Sequence, residues 1–227
     1  VSSTPNQSGP ARRIVLFDFD GTLTRRDSLF PFLRHALGTG EFLRRLPACV
    51  PALTGLALKR LSNQDAKEAV LTRMLAGETL AHLQAKGREF ADRKLDRLLR
   101  PAGLRALQAH QAAGDECVLV SASLDVWLRP WAERHGIQGV VSSRLAVDDA
   151  GRVTGRLDGT NCRGAAKPAA VAAWLATLPP EETVDITAAY GDSTADRPML
   201  ELARSGYLLR LGQFRAAHGA DTEKHPA

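Results

Sequence analysis

The chain has 227 residues, 44% of them hydrophobic and 24% charged, with a formal net charge of +5. That length and apolar content suffice for a buried core, with room for a second domain inserted into the first. The three cysteines, Cys49, Cys117 and Cys162, are odd in number and lack metal-ligand spacing, so they argue against a disulfide framework and fit a reducing, cytoplasmic compartment.

Residues 1–12, rich in Ser, Pro, Gly and Asn, read as a tail. Residues 13–20 read as a buried strand, with the apolar run Ile14-Val15-Leu16-Phe17 leading into Asp18-Phe19-Asp20-Gly21-Thr22-Leu23-Thr24. Two acids two residues apart would share a face if the strand continued. A sharp turn at Gly21 instead lets both carboxylates and the free loop amides converge on one small volume. An exposed Asp-rich turn capping the next helix is the plainer reading of this heptapeptide alone.

The next stretch shows helical periodicity and no strand. Leu29, Phe30, Phe32, Leu33 and Leu37 form one apolar face, Ala69, Val70, Leu71, Met74 and Leu75 a second, and Leu80, Leu83, Phe90, Leu95, Leu98 and Leu99 a third. Residues 29–100 are therefore expected to form an inserted all-helical domain. This segment holds 13 Lys and Arg against 7 Asp and Glu, a net of +6, so the basic excess of the chain lies here. Such a field favours anionic ligands or surfaces. No nucleic-acid partner is expected, because the segment lacks interleaved aromatics and any recognisable reading motif. Residues 46–58 carry no charge and lie between Arg44-Arg45 and Lys59-Arg60. Too short and too proline-broken to span a bilayer, they would either pack inside the insert or touch an anionic membrane surface through 44–60.

Pro101 starts a helix through Ala113, ended by Gly114. Beyond it, strands and helices alternate: a strand at 116–120 running into Ser121-Ala122-Ser123, a helix at 124–135, Val140-Val141, and a hairpin turning at 148–151. A helix at 165–177, a strand at 185–190 running into Gly191-Asp192-Ser193-Thr194-Ala195-Asp196, a helix at 196–204 and a strand at 207–211 complete the order. Residues 214–227 read as a second tail. The class is α/β: a Rossmann-like, doubly wound parallel sheet over 13–28 and 101–213 with helices on both faces, its ligands at the carboxyl ends of the strands.

Phosphoryl transfer to a carboxylate needs a cation to offset charge, a lysine to restrain the phosphate, and hydroxyl or amide donors for its oxygens. The order DxDGT, Ser121, Lys167 and GDxxxD supplies each at a strand end or helix head, and closely resembles the haloacid dehalogenase superfamily of phosphohydrolases over residues 13–211. The resemblance implies Asp18 as nucleophile and Asp20 as acid/base, with Ser121, the Ala122 amide and Lys167 holding the phosphate. It implies Mg²⁺ bound by Asp18, Asp192 and the backbone carbonyl of Asp20, with Gly191 supporting and Asp196 holding a metal-bound water or orienting Lys167. Halide leaves without an acid, so Asp20 favours phosphate esters over haloacids.

The helical insert and the stretch Gly159 to Lys167 are similar to the phosphoserine-phosphatase-like branch. Phosphoserine enzymes of that branch place a Glu nine residues after the nucleophile to bind the substrate amine; Asp27 stands there, a candidate substrate-facing residue. The layout of 46–58 is loosely similar to the family of phosphatidylglycerophosphatase C, bacterial lipid-phosphate phosphatases. Expected partners are accordingly a small organic phosphate or, as the alternative, a lipid phosphate at the inner face of the membrane. A basic binding module without turnover is a third reading, against which the intact acidic set argues.

Overall fold

A computed structural model describes residues 11–219. In chain order the elements are β1 (Arg12–Phe17), α1 (Leu29–Leu37), α2 (Thr39–Arg45), α3 (Val50–Ala57), α4 (Asn63–Leu75), α5 (Leu80–Arg93), α6 (Pro101–Ala112), β2 (Glu116–Leu124), α7 (Asp125–Arg134), β3 (Gly139–Ser143), β4 (Leu145–Val147), β5 (Val153–Leu157), α8 (Ala166–Leu175), β6 (Val184–Gly191), α9 (Arg197–Leu200), β7 (Ser205–Arg210) and β8 (Gln213–His218). Six strands form one sheet in the order β3-β2-β1-β6-β7-β8. Five of these strands are parallel, and β8 pairs antiparallel with β7.

Strand alternation explains why β1 is apolar at every position from Ile14 to Phe17. Ile14 and Leu16 pack on one face with Val118, Val120, Val171 and Met199. Val15 and Phe17 face the other way, with Leu107, Leu119, Leu128 and Tyr190. Helices therefore cover both faces, and the fold is Rossmann-like. The chain leaves β1 first toward β2 and later crosses to β6 on its other side, so the carboxyl ends of β1, β2 and β6 flank the point where strand order reverses.

Helices α1 to α5 lie between β1 and α6 in sequence, and their apolar faces merge with that second core face. Phe32 meets Trp127 of α7 at a centroid distance of 4.4 Å and Phe90 at 5.7 Å. Helix α4 lies along β5, where Glu68 Oε1 accepts from the Leu157 amide at 3.3 Å and Gln64 Oε1 from the Asn161 amide at 3.1 Å. The turn after α4 joins the same hairpin through Gly77 N to Val153 O, 2.9 Å, and Val153 N to Glu78 O, 2.8 Å. The helical insert is thus tied to the β4–β5 hairpin as well as to its two chain connections.

Several boundaries differ from the sequence reading. The strand expected at 13–20 runs from Arg12 to Phe17, because Gly21 turns the Asp18–Asp20 segment out of the sheet while the Asp18 amide still reaches Tyr190 O at 2.9 Å. Strand β2 continues to Leu124, so Ser121 to Ser123 belong to it. The helix expected at 196–204 stops at Leu200, after which the Arg204 amide joins Ile186 O at 2.9 Å and draws the chain into β7. Residues 214–218, assigned to a tail, form most of β8, because Leu211 and Gly212 adopt φ of 50° and 82° and close a tight hairpin. The remainder of both expected tails, residues 1–10 and 220–227, lies outside the described residues. Residues 46–58 form a 3-10 turn and α3, and no described helix is long and apolar enough to cross a membrane. Cys49, Cys117 and Cys162 are buried and unpaired.

Candidate active site

Asp18 directly follows β1 and is 6% exposed. Lys167, in the first turn of α8 and 2% exposed, sends its Nζ to Asp18 Oδ1 at 2.6 Å and to Asp196 Oδ1 at 2.7 Å. Thr22 Oγ1 donates to the other Asp18 oxygen at 3.2 Å. Burial alone would lower the pKa of Lys167, but the two carboxylates raise it above its ordinary value, so the bridging group is an ammonium. Asp196 is positioned by its own turn: its Oδ2 accepts from the Ser193 amide at 3.0 Å, the Ser193 hydroxyl at 2.9 Å and the Asp192 amide at 3.2 Å. Against burial, Lys167 and these donors hold Asp196 below the usual carboxylate range.

Two glycines make this closeness feasible. Gly21 has φ +88°, and a Cβ there would lie 2.3 Å from Asp192 Oδ2. Gly191 ends β6, and a Cβ on it would lie 2.4 Å from the Asp196 Cβ. Any side chain at either position would push the acids apart.

Asp20 occupies a different environment. Its Oδ1 accepts from the Ser28 amide at 3.0 Å, and its Oδ2 from the Ser28 hydroxyl at 3.2 Å and from the Ser123 hydroxyl. Trp127 Nε1 donates to Ser28 Oγ at 3.1 Å, which turns the serine hydroxyl proton toward Asp20 or Ser123. Burial, then the nearby Asp27 carboxylate, push the Asp20 carboxyl up to about 7, well apart from Asp196.

Asp18, Asp192 and Asp196 each offer a carboxylate oxygen, all within 4.8 Å of one another. Lys167 pairs with two of the three and leaves Asp192 without an ion pair among the described residues. Burial, then Asp18 and Asp196, push Asp192 up to about 6. Three acids against one lysine leave two negative charges unmatched, and with Asp196 committed to Lys167 and its own turn, the hard oxygens of Asp18 and Asp192 fit a divalent cation such as Mg²⁺.

Ser121 is buried in the carboxyl half of β2, its Oγ accepting from the Ser123 amide at 3.1 Å. Beside Asp20 opens a cavity of about 180 Å³ lined by Asp27, Lys67, Ala122, Ser123, Asn161 and Arg163 and walled by apolar side chains that include Phe30, Leu53, Leu56 and Trp127. Asp27 lines it while its Oδ1 caps α1 through the Leu29 amide at 2.8 Å. The structure thus brings Asp18, Asp20, Lys167, Asp192 and Asp196 to one sheet end, with Ser121, Ala122 and Asp27 adjoining.

A family model described as haloacid dehalogenase-like hydrolase matches residues 15–201. The chain belongs to that family. Protein CicA of Caulobacter vibrioides is 35% identical over 201 residues, spanning 88% of this chain and 87% of that protein. A histidinol-phosphatase of Neisseria meningitidis serogroup C is 29% identical over 84% of this chain and 87% of its own. Among solved structures, a protein of unknown function from Bordetella pertussis Tohama I matches with a TM-score of 0.71 and 29% identity, covering 87% of this chain and 89% of that one. A phosphoserine phosphohydrolase-like protein from Francisella tularensis matches in fold, with a TM-score of 0.58 and 19% identity over 86% and 85%.

The hydrolase site contains residues that the sequence reading passed over. Ser28 and Ser123 grip Asp20; Ser123 shares the face of Ser121 by strand alternation, which was the available signal. Lys67 of α4 donates to the Ala122 carbonyl and to Asn161 Oδ1 at 3.1 Å. Burial lowers it to about 8, against the pull of Asp27 and Asp20. Flanked by Ala66 and Glu68 on a helix, it carries no local sequence signal.

The Asp192 pKa gives a signed expectation. A carboxyl raised from about 3.8 to about 6 contributes stability present below its unfolded value and lost as pH rises through about 6. Asp192→Asn should therefore raise the Tm of the EDTA-treated protein at pH 7.5, and a wild-type Tm that rises on adding Mg²⁺ should become insensitive to it in this variant. Differential scanning fluorimetry with and without Mg²⁺ checks both signs.

Proposed function

We propose that this hydrolase is a phosphomonoesterase that forms an aspartyl-phosphate on Asp18. The observation that carries the reading is the difference in partners between the two acids: Asp18, whose pKa burial also raises, is bound to the Lys167 ammonium, while Asp20, two residues on, is held by Ser28 and Ser123, with burial and then Asp27 pushing its carboxyl up to about 7. The family and the phosphatase name of the Neisseria relative support the same class.

In the first step an Asp18 oxygen bonds to phosphorus as the ester P–O bond breaks, and Asp20 gives its proton to the departing alkoxide. In the second, Asp20 takes a proton from water, whose oxygen bonds to phosphorus and releases Asp18 and inorganic phosphate. Ser121 Oγ, the Ala122 amide and Lys167 take the phosphate oxygens, and Asp196 keeps Lys167 aimed at them. Asp18, Asp192 and the Asp20 carbonyl would hold Mg²⁺, which supplies charge neutralisation for the transferred group. The helical insert, residues 29–100, acts as a cap whose side chains line the leaving-group cavity. Purified protein should hydrolyse p-nitrophenyl phosphate with Mg²⁺ and not in EDTA, and Asp18→Asn should abolish turnover. Asp20→Asn should slow it by roughly 10²–10⁴-fold, more for alkyl phosphates than for nitrophenyl phosphate, whose leaving group needs no proton. Equal losses on both substrates would remove Asp20 from the acid role.

A second reading, a lipid phosphate as substrate, is favoured by one observation. Leu43, Val50 and Leu58 are 57%, 51% and 62% exposed, and Leu53, also exposed, lines the leaving-group cavity. Arg44, Lys59 and Arg60, all exposed, flank this stretch in sequence, with Arg44 paired to Glu41. Each basic group near an anionic bilayer contributes about 1 kcal/mol. On this reading the protein co-sediments with phosphatidylglycerol vesicles at low salt and is released by high salt; failure to co-sediment leaves the soluble ester.

A further inference from the structure

Phe30 is a wall shared by two cavities. One is the leaving-group cavity beside Asp20; the other is an open groove of about 660 Å³ on the helical insert. Arg26, Arg34, Lys94 and Arg97 line the groove, and no carboxylate does. None of the four has an ion-pair partner among the described residues; Arg34 Nε donates only to Thr39 Oγ1, at 3.1 Å. The floor is apolar, made by Phe42, Phe90 and Leu98.

A second observation concerns another residue of the same groove. His35 lines it with a side chain 7% exposed, and its Nε2 is buried without a hydrogen-bond partner. The nearest acid, Glu89, is 3.6 Å away and is already engaged by Lys86 at 3.2 Å and Arg93 at 3.4 Å. Burial, then Lys94, lower the pKa of His35, so the ring is neutral and can present an Nε2–H to an acceptor. A buried polar atom without a partner is costly and invites a ligand oxygen.

We propose that this groove binds a soluble organic polyphosphate, distinct from the ester that is hydrolysed. One or two negative charges would leave half or more of the four cations uncompensated, whereas a group carrying three or four comes close to matching them. Three of the four cations are arginines, whose planar forks suit phosphate oxygens in pairs. The Phe42–Phe90–Leu98 floor takes the apolar part of the molecule, and His35 Nε2–H donates to an oxygen at the edge of that floor. The groove holds none of Asp18, Asp20, Lys167 or Asp192, so the proposal stands or falls separately from the catalytic one.

The test is isothermal titration calorimetry with ADP and with inorganic tripolyphosphate, in EDTA at low salt, on the full chain. Wild type and Ser121→Ala should bind alike, while Arg34→Ala/Arg97→Ala should bind at least about tenfold more weakly through loss of two charge-assisted contacts. That double variant should keep its Tm and its p-nitrophenyl phosphate hydrolysis within about twofold, since both side chains are exposed. Arg34→Lys/Arg97→Lys, which keeps the charge, should recover part of the affinity and controls for folding. No binding by the wild type, equal binding by the double alanine variant, or loss of binding in Ser121→Ala would each overturn the proposal. So would binding of phosphatidylglycerol vesicles, abolished by the double variant, without binding of either soluble probe.

Discussion

One ammonium shared by two carboxylates organises this molecule. Lys167 sits almost dry between Asp18 and Asp196, and each of the three reaches that point from a different element: the end of β1, the turn after β6 and the first turn of α8. Isolated, any of them would be costly to bury in ionised form; together they are held in register by the sheet. The parallel β2-β1-β6 arrangement is what brings those ends side by side, and the alternating apolar faces of β1 are what hold the sheet between its helix layers. The charge count explains the rest of the site. One lysine cannot match three acids, and burial with Asp18 and Asp196 nearby leaves Asp192 raised and without an ion pair among the described residues.

The same physics separates two aspartates only two residues apart. Gly21 turns the chain so that Asp18 faces Lys167 while Asp20 faces Ser28 and Ser123. Ser28 opens α1, and Trp127, which donates to it, is wedged between Phe32 and Phe90 of the insert. The hydrogen bonds that hold Asp20 are therefore tied, through Ser28 and Trp127, to the packing of the insert against α7, and Lys67 binds a second point of the insert to the carboxyl half of β2. The insert serves the site through positioning contacts as well as by covering it.

Much of this was legible in the sequence. Asp18, Asp20, Lys167, Asp192 and Asp196 sit at ends of apolar runs or at helix heads, and strand-to-loop transitions are local signals. What was not legible depends on which helix face meets which strand. Lys67 on α4 reads as a solvated position because nothing within a turn of it announces that β2 lies opposite. Residues 46–58 carried an open choice between packing inside the insert and contact with a membrane surface; the structure buries Cys49 and Ala52 and exposes Val50 and Leu58, which depends on how this stretch lies on its neighbours and has no local signal. Strand β8 was missed because Gln213–His218 is an edge with little apolar alternation, and its pairing is dictated by the Leu211-Gly212 turn.

The central claim is that Asp18 attacks phosphorus while Lys167 restrains the group it receives. The most direct measurement is acid quenching of the enzyme during steady turnover of a phosphate ester with Mg²⁺, followed by borohydride trapping and peptide mass spectrometry. The account expects the label on the peptide spanning Asp18, at that residue, and none in Asp18→Asn. Label on any other side chain, or full turnover with no trappable acyl phosphate, would contradict it.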